Sequence, residues 1–304
     1  MAHISDDRWR RLLDTRATDP DAVATAYARR ERPDGLLDDR GALFLVAADH
    51  AARGMLRSGP DPMAMADRRG LLERLLTALA HPDVGGVLGS PDVIEELLLL
   101  GALEGKVVIG SMNRGGLDGA TWTMDDRFSG YDAASIHACR LEGGKMLLRI
   151  DDEDPGTGST LQACAQAVTA LASRRLMAMV EPLPYRRGED GDLVLQTDAP
   201  ALARAVTVAS ALGTTSAYTW LKMPACDHPE VVIGATTLPC VVLGGAPGED
   251  LPAQVASWSE TLRQPSVRGM VLGRTVLYPD DGDVAHAVDA AARVLRAAGR
   301  TATS

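Results

Sequence analysis

The sequence lacks several features that mark particular classes of protein. Basic residues are in the minority, with 31 Lys+Arg against 41 Asp+Glu and a net charge of −10 at pH 7. This balance disfavours nucleic acid and anionic membranes as partners, because both select for basic surfaces. No apolar run approaches the ~20 residues of a membrane span. The polar, acidic N-terminus does not resemble a signal peptide. We therefore expect a cytoplasmic protein.

The sequence also lacks the spacings of common metal and disulfide sites. Its four cysteines are Cys139, Cys164, Cys226 and Cys240. They form no Cys-x-x-Cys pair, so we expect reduced, buried thiols. The histidines show no His-x-His or His-Glu-x-x-His spacing. A metal held by His50, His137, His228 and Glu181 is the less favoured alternative. We predict no metal and no cofactor.

Short apolar runs alternate with longer amphipathic stretches along the chain. Its 46% hydrophobic and 24% charged residues are typical of a globular protein. Apolar runs predict strands at 42–48, 84–89, 107–110, 146–150, 176–180, 217–221, 239–243 and 269–272. Amphipathic spacing predicts helices at 63–80, 91–103, 131–142, 159–173, 199–212, 250–263 and 283–298, and weakly at 227–235.

This alternation predicts an α/β fold with parallel strands joined by right-handed crossovers. Eight strand–helix units indicate a single (β/α)8 TIM barrel over residues 41–298. Two further helices, at 6–14 and 21–30, form an N-terminal helical extension (1–40) that we expect to cover the N-terminal end of the barrel. No linker divides the chain, so residues 1–304 are interpreted as one domain. A doubly wound open sheet remains the alternative.

Polar residues and glycines follow the predicted strands, where barrel active sites lie. In chain order they are Asp49, His50, Ser90, Asn113, Arg114, Arg149, Asp151, Glu181, Lys222, Gly244, Gly245, Gly273 and Arg274, with Lys145 at the start of the fourth strand. A solvated surface would not place ionisable groups so regularly.

Lys222 is the candidate nucleophile. A lysine at the end of an apolar strand is desolvated, which favours the neutral amine that attacks a carbonyl to form a Schiff base. The alternative is a lysine whose ammonium group simply reaches solvent from a strand end. Glu181 ends another apolar strand and is a candidate general acid or base. It is equally interpretable as a buried partner of Lys145 or Arg149.

The last two strands end in glycine-rich segments, VVLGGAPGED and GMVLGRTVLYP. Barrels frequently bind phosphate at these loops, where glycines permit close backbone approach and a helix presents free N–H groups. Gly244, Gly245, Gly273 and Arg274 therefore predict a phosphate site, although such glycines also shape simple turns. The long segment 111–130 is interpreted as either a lid, with Arg114 and Trp122 over the barrel mouth, or a mobile loop.

These segments resemble a known family. DHAARGML is similar to the DQRG-type motif of class I tagatose-bisphosphate aldolases. GGKMLLRIDDED, MAMVEPLPY, TWLKMP, VVLGGAP and GMVLGRTVLYP follow in the order of that barrel, over roughly residues 41–279. The wider group includes deoxyribose-phosphate aldolase and archaeal-type fructose-bisphosphate aldolases. The resemblance implies a class I (Schiff-base) aldolase.

The resemblance also implies roles for individual residues. Lys222 matches the Schiff-base lysine, Glu181 the acid/base glutamate and Lys145 the lysine of strand four. Asp49 matches an aspartate that contacts substrate hydroxyls. The phosphate site corresponds to Gly244, Gly245, Gly273 and Arg274. His50 stands where tagatose-type enzymes have glutamine, and the loop 111–130 also departs from their pattern.

The expected substrate is a phosphorylated ketose that is cleaved to dihydroxyacetone phosphate and an aldehyde. Resemblance to proteins of inositol catabolism suggests 5-dehydro-2-deoxygluconate 6-phosphate, whose carboxylate would bind Arg114, Arg149 or His50. Tagatose or fructose bisphosphate, deoxyribose phosphate and sulfofructose phosphate are alternatives. A phosphosugar epimerase or isomerase and a non-catalytic phosphosugar-binding barrel are also open. We expect a homo-oligomer.

Overall fold

The computed structural model describes residues 1–188, 190–245 and 251–298. Its strands are β1 (Leu43–Ala48), β2 (Gly86–Gly89), β3 (Val107–Ser111), β4 (Gly143–Ile150), β5 (Met177–Arg187), β6 (Leu193–Leu195), β7 (Thr219–Pro224), β8 (Cys240–Leu243) and β9 (Val267–Leu272). Residues 299–304, which we included in the single domain, and Asp250, the predicted start of a helix, lie outside the described residues.

Eight parallel strands close into a barrel. The order is β1-β2-β3-β4-β5-β7-β8-β9, and β9 pairs with β1 in register Leu43↔Gly269. This closure excludes the open sheet and confirms the predicted TIM barrel. β6 adds to β5 as an antiparallel hairpin beyond the barrel.

Helices lie between the strands and before them. They are α1 (Asp6–Thr18), α2 (Asp21–Arg29), α3 (Arg68–Leu79), α4 (Pro91–Leu99), α5 (Ala133–Ala138), α6 (Gly156–Ala172), α7 (Ala199–Ser210), α8 (Pro229–Gly234), α9 (Leu251–Leu262), α10 (Arg274–Leu277) and α11 (Val284–Ala298), with a 3-10 helix at Ala51–Arg53. In the described part of the chain, no helix is both long and apolar enough to cross a membrane.

Alternation along the strands separates two apolar clusters. In β1, Leu43, Leu45 and Ala47 join the cluster inside the barrel, whereas Phe44 and Val46 face the helices. Because both faces are buried, the strands are nearly continuous apolar runs, which is why the sequence predicts them well.

The N-terminal helices are present, but they pack beside the barrel. Glu73 on α3 accepts a hydrogen bond from the Ile4 N–H at 2.8 Å, and Arg8 on α1 donates to the carbonyl of Leu100 at the end of α4. The segment after α2 covers the barrel's N-terminal end instead, because Leu36 packs against the inner apolar cluster. The helices themselves therefore do not form the predicted cover.

Several predicted boundaries differ from the structure, including those of β4, β5 and α5. β4 begins at Gly143 rather than at residue 146, so Lys145 lies inside the strand. β5 continues to Arg187, past Pro182 and Pro184, whereas we ended the strand at residue 180. α5 spans only Ala133–Ala138, and Arg140 has φ +58°, a left-handed conformation that cannot continue the predicted helix.

Candidate active site

Strand alternation directs the ionisable side chains into the barrel. In β4 the outward residues Met146 and Leu148 pack against helices, which leaves Lys145 facing inward. In β5, Met177 and Met179 belong to the inner cluster, and Glu181 continues the same face. By the same rule Lys222 faces inward from β7 and Asp49 follows the inward face of β1.

These four side chains form one connected ion-pair network. Lys222 Nζ donates to Glu181 Oε1 at 2.5 Å, and Lys145 forms an ion pair with the other oxygen of Glu181. Lys145 Nζ also lies 3.6 Å from Asp49 Oδ2. Arg114 Nε donates to that Asp49 oxygen at 2.9 Å. The structure therefore brings together the predicted catalytic residues Lys222, Glu181, Lys145 and Asp49.

Burial and neighbouring charges set the protonation of this network. Burial favours protonation of Glu181, but Lys145 and Lys222 outweigh it and hold its pKa well below the usual range. Burial likewise opposes the ionisation of Asp49, yet Arg114 and Lys145 keep its pKa low. Burial, then Arg114, lowers the pKa of Lys145 to about 8. Both carboxylates are thus ionised at neutral pH.

A cavity of about 640 Å³ opens over the network at the C-terminal ends of the strands. Lys222 and Glu181 line it, whereas Lys145 and Asp49, each 0% exposed, lie behind them. The chain has three lysines, and the third, Lys106, donates to the Val84 carbonyl at 2.6 Å at the start of β3. Lys222 is therefore the lysine whose amine reaches the cavity.

The predicted phosphate residues line the same cavity. Gly244 and Gly245 follow β8, and Gly273 and Arg274 follow β9. Gly245 has φ +80°, a conformation that favours glycine. Thr275 Oγ1 donates to the Gly244 carbonyl at 3.1 Å and so joins the two strand ends. Residues 246–250, the rest of the GGAPGED segment, lie outside the described residues.

His50 packs closely against one of these glycines. A Cβ at Gly273 would lie 2.7 Å from His50 Cε1 and 3.1 Å from the Ala47 carbonyl oxygen. Burial is the main cause that lowers the pKa of His50 to about 3, against the attraction of Asp49. The ring is therefore neutral. It can offer an anion a hydrogen bond but no positive charge.

The charge of Arg149 is satisfied within the protein. Arg149 donates to Asp126 with Nε–Oδ2 2.8 Å and Nη2–Oδ1 2.7 Å, and also to the Thr123 carbonyl. It is absent from the described lining residues. Arg149 therefore fastens the loop 111–130. Trp122 in this loop is 56% exposed and does not cover the barrel mouth as a lid would, whereas Arg114 lines the cavity.

The barrel matches a known family model. The model described as Cgl0159-like matches residues 41–292. The chain belongs to the Cgl0159-like family. The crystal structure of Cgl0159 from Corynebacterium glutamicum is 44% identical, with TM-score 0.94, and covers 98% of this chain and 99% of that chain. No curated protein matches the chain.

More distant structures share the barrel. An archaeal fructose 1,6-bisphosphate aldolase is 16% identical, with TM-score 0.64, over 90% of this chain and 99% of its own. A Schiff base forming fructose-1,6-bisphosphate aldolase is 17% identical, with TM-score 0.63 and the same coverage. At this identity the likeness to class I aldolases concerns the fold.

Arg53 and Tyr185 are among the lining residues of the cavity that sequence reasoning missed. Tyr185 carried a signal, because it continues the inward face of Glu181 four residues on, and ending the strand before Pro182 hid it. Arg53 lies in a 3-10 helix after β1, where no periodicity predicts a direction.

The alternative metal ligands do not come together. Within residues 1–188, 190–245 and 251–298, no three His, Cys, Asp or Glu side chains are grouped as metal ligands would be. His137 lies on α5 outside the barrel, and the side chain of His228 is 73% exposed.

Proposed function

We propose that this protein is a class I aldolase that cleaves a phosphorylated ketose through a Schiff base on Lys222. One observation carries the proposal: the amine of Lys222 reaches the cavity while a buried carboxylate, Glu181, holds it at 2.5 Å. A nucleophilic amine needs an adjacent base to remove its proton and an acid to expel water, and Glu181 is placed for both tasks.

The reaction follows from these positions. Glu181 takes a proton from Lys222, whose amine adds to the C2 carbonyl and forms a carbinolamine. Glu181 returns the proton to the leaving hydroxyl, so that water departs and a protonated imine remains. Removal of the C4 hydroxyl proton, by Glu181 or by water, breaks the C3–C4 bond, and its electron pair moves to the imine nitrogen. An aldehyde leaves, and the enamine is protonated at C3 and hydrolysed to dihydroxyacetone phosphate.

Lys145 and Asp49 act through their neighbours. Lys145 pairs with Glu181 and keeps it ionised, so that it is ready to accept a proton. Asp49 accepts hydrogen bonds from Arg114 Nε at 2.9 Å and Ser111 Oγ at 3.0 Å, which orients the arginine that lines the cavity. Because Asp49 is fully buried, we assign it to positioning Arg114 and Lys145 rather than to direct contact with substrate hydroxyls.

The substrate's phosphate would bind at the ends of β8 and β9. Gly244 and Gly273 line the cavity there, and Arg274 supplies a permanent positive charge. In the described part of the chain, Arg274 Nε is buried without a hydrogen-bond partner. This arrangement supports a ketose phosphate, with 5-dehydro-2-deoxygluconate 6-phosphate and the ketose bisphosphates as specific candidates.

Borohydride trapping with dihydroxyacetone phosphate tests the proposal. Reduction of the imine fixes the ligand to its lysine, and peptide mass mapping has only Lys106, Lys145, Lys222 and the N-terminus to separate. We expect the adduct on Lys222, its loss in Lys222→Met, and its retention in the control Lys106→Met. EDTA should not reduce trapping. No adduct, or an adduct that survives Lys222→Met, refutes the Schiff-base assignment and leaves the epimerase and binding-protein alternatives.

A further inference from the structure

Arg53 is a buried arginine that lines the cavity without a partner. It is the last residue of the 3-10 helix that follows β1, and the residue is 7% exposed. Among the described residues, no carboxylate lies within 4.0 Å of its guanidinium and no acceptor takes a hydrogen bond from it, and Nε is fully buried. Burial, then Arg149 and Arg114, lowers its pKa, but a guanidinium keeps its proton at neutral pH. The positive charge therefore persists.

Two arginines near Arg53 have carboxylate partners. Arg114 binds Asp49, and Arg149 binds Asp126 through two nitrogens. An arginine that is buried without a counterion is strongly unfavourable unless a ligand supplies the anion. Because Arg114 and Arg149 are neutralised within the protein, Arg53 is the arginine on this side that is open to an external anion.

Arg53 faces the side of the cavity opposite the glycines. The ionisable groups that act on it are Arg149, Arg114, Asp126 and Tyr185, which lie on or after β3, β4 and β5. In the barrel order, β3 and β4 lie across from β8 and β9, where the phosphate would bind. Lys222 on β7 and Glu181 on β5 lie between the two sides. A substrate that reaches from the glycines past Lys222 would therefore end near Arg53.

We propose that Arg53 binds a second anionic group, a phosphate or carboxylate, on the aldehyde-forming end of the substrate. This inference rests on the proposed aldolase function and defines its substrate class as a ketose phosphate with a charged far terminus. Tyr185 lines the same side, and burial raises its pKa, so its hydroxyl remains a hydrogen-bond donor for the same anion.

The backbone holds Arg53 in place for this role. The Arg53 carbonyl accepts a hydrogen bond from the Asp118 N–H at 2.8 Å, which ties it to the loop 111–130. Gly54 follows in a left-handed conformation, φ +81°, and ends the turn. A fixed turn presents the planar fork of a guanidinium in one orientation, which suits recognition of a phosphate or carboxylate through two parallel hydrogen bonds.

The test uses the reverse reaction, in which dihydroxyacetone phosphate condenses with aldehydes that differ in charge. Glyceraldehyde 3-phosphate is compared with glyceraldehyde, and malonate semialdehyde with propanal. We expect wild type to prefer one anionic aldehyde over its neutral counterpart, and Arg53→Met to reduce kcat/KM for that aldehyde by about 10- to 150-fold, the range for a lost hydrogen bond to a charged group. The neutral aldehydes should change by less than about threefold. Whichever pair shows the preference identifies phosphate or carboxylate.

Two controls separate a lost subsite from a damaged protein. Dihydroxyacetone phosphate lacks the far terminus, so borohydride trapping in Arg53→Met should equal that of wild type. Arg127→Met removes a surface arginine that pairs with Asp125 at 2.7 Å, and it should keep the anionic preference.

The outcomes distinguish this inference from the aldolase proposal. Condensation without any preference for anionic aldehydes in wild type overturns the Arg53 subsite but leaves the aldolase; this result needs no variant and so does not depend on Arg53→Met folding. A preference that survives Arg53→Met overturns the assignment to Arg53. An absence of both condensation and trapping overturns the aldolase itself.

Discussion

Replacing Glu181 by glutamine should destabilise the protein most at low pH, because it leaves two buried ammonium groups without their shared carboxylate. Glu181 binds Lys222 at 2.5 Å and also pairs with Lys145. Loss of one member of a buried ion pair costs about 3–5 kcal/mol. The variant can relieve part of this cost by releasing the proton of Lys145, whose pKa burial already lowers to about 8.

The sign of the pH dependence follows from proton counts. Below pH 8, wild type holds the Lys145 proton in both the folded and unfolded states. The variant releases it on folding, because the carboxylate that favoured the ammonium is gone. Its unfolded state then binds one more proton than its folded state, so its stability rises with pH by about 1.4 kcal/mol per pH unit relative to wild type. Above pH 8, where wild type also releases this proton, the two curves should run parallel.

Urea unfolding at pH 6.5, 7.5 and 8.5 measures this effect. Glu142→Gln is the matched control, because the buried Glu142 also holds two cations, Arg30 at 2.9 Å and Arg32 at 2.8 Å. Arginines do not release protons in this range, so the cost of that substitution should be constant with pH. The double variant Glu181→Gln/Lys145→Met should lose the pH dependence. A cost for Glu181→Gln below about 1 kcal/mol at pH 6.5, or one that does not change with pH, would refute the reasoning.

Two further predictions concern the phosphate side of the cavity. Gly273→Ala places a Cβ 2.7 Å from His50 Cε1. It should lower the free energy of unfolding in urea by about 1–3 kcal/mol and weaken the binding of dihydroxyacetone phosphate. The control Gly158→Ala, whose Cβ has open space around it, should do neither. His50 has its pKa lowered to about 3, so folding excludes its proton and stability falls as the pH decreases from about 6.5 toward 3. His50→Gln should therefore gain about 2 kcal/mol relative to wild type at pH 5 compared with pH 7.5; equal differences at both pH values would contradict the neutral imidazole.

The barrel was predictable from the sequence because parallel strands with two buried faces are apolar runs. The boundaries failed where other physics intervenes. Gly143 and Lys145 interrupt the apolar run, yet both lie in β4. Gly143 permits a close backbone contact with β5, and Lys145 belongs to the ion-pair network. Proline usually ends a strand, but β5 continues through Pro182 and Pro184, which pair with Leu148 and Ile150 of β4.

The proposed catalytic group was predictable for a related reason. Side chains alternate along strands, so Glu181 at the end of one apolar run and Lys222 at the end of another point into the same barrel mouth. The sequence could not predict their 2.5 Å contact, nor that Lys145 and Asp49 lie behind them rather than in the cavity. Depth along the barrel axis depends on strand register, which no apolar run encodes.

The arginines show why candidate binding residues were harder to predict than candidate catalytic ones. We expected Arg149 to bind substrate and did not consider Arg53, but the structure gives Arg149 a carboxylate partner and leaves Arg53 without one among the described residues. The difference is Asp126, which lies 23 residues before Arg149 in the loop 111–130 and meets it only after folding. An arginine is free for a substrate when the fold places no carboxylate within its reach. That condition depends on the tertiary structure, so strand ends predict where the ionisable side chains gather, whereas the charged loops decide which arginines receive a carboxylate partner.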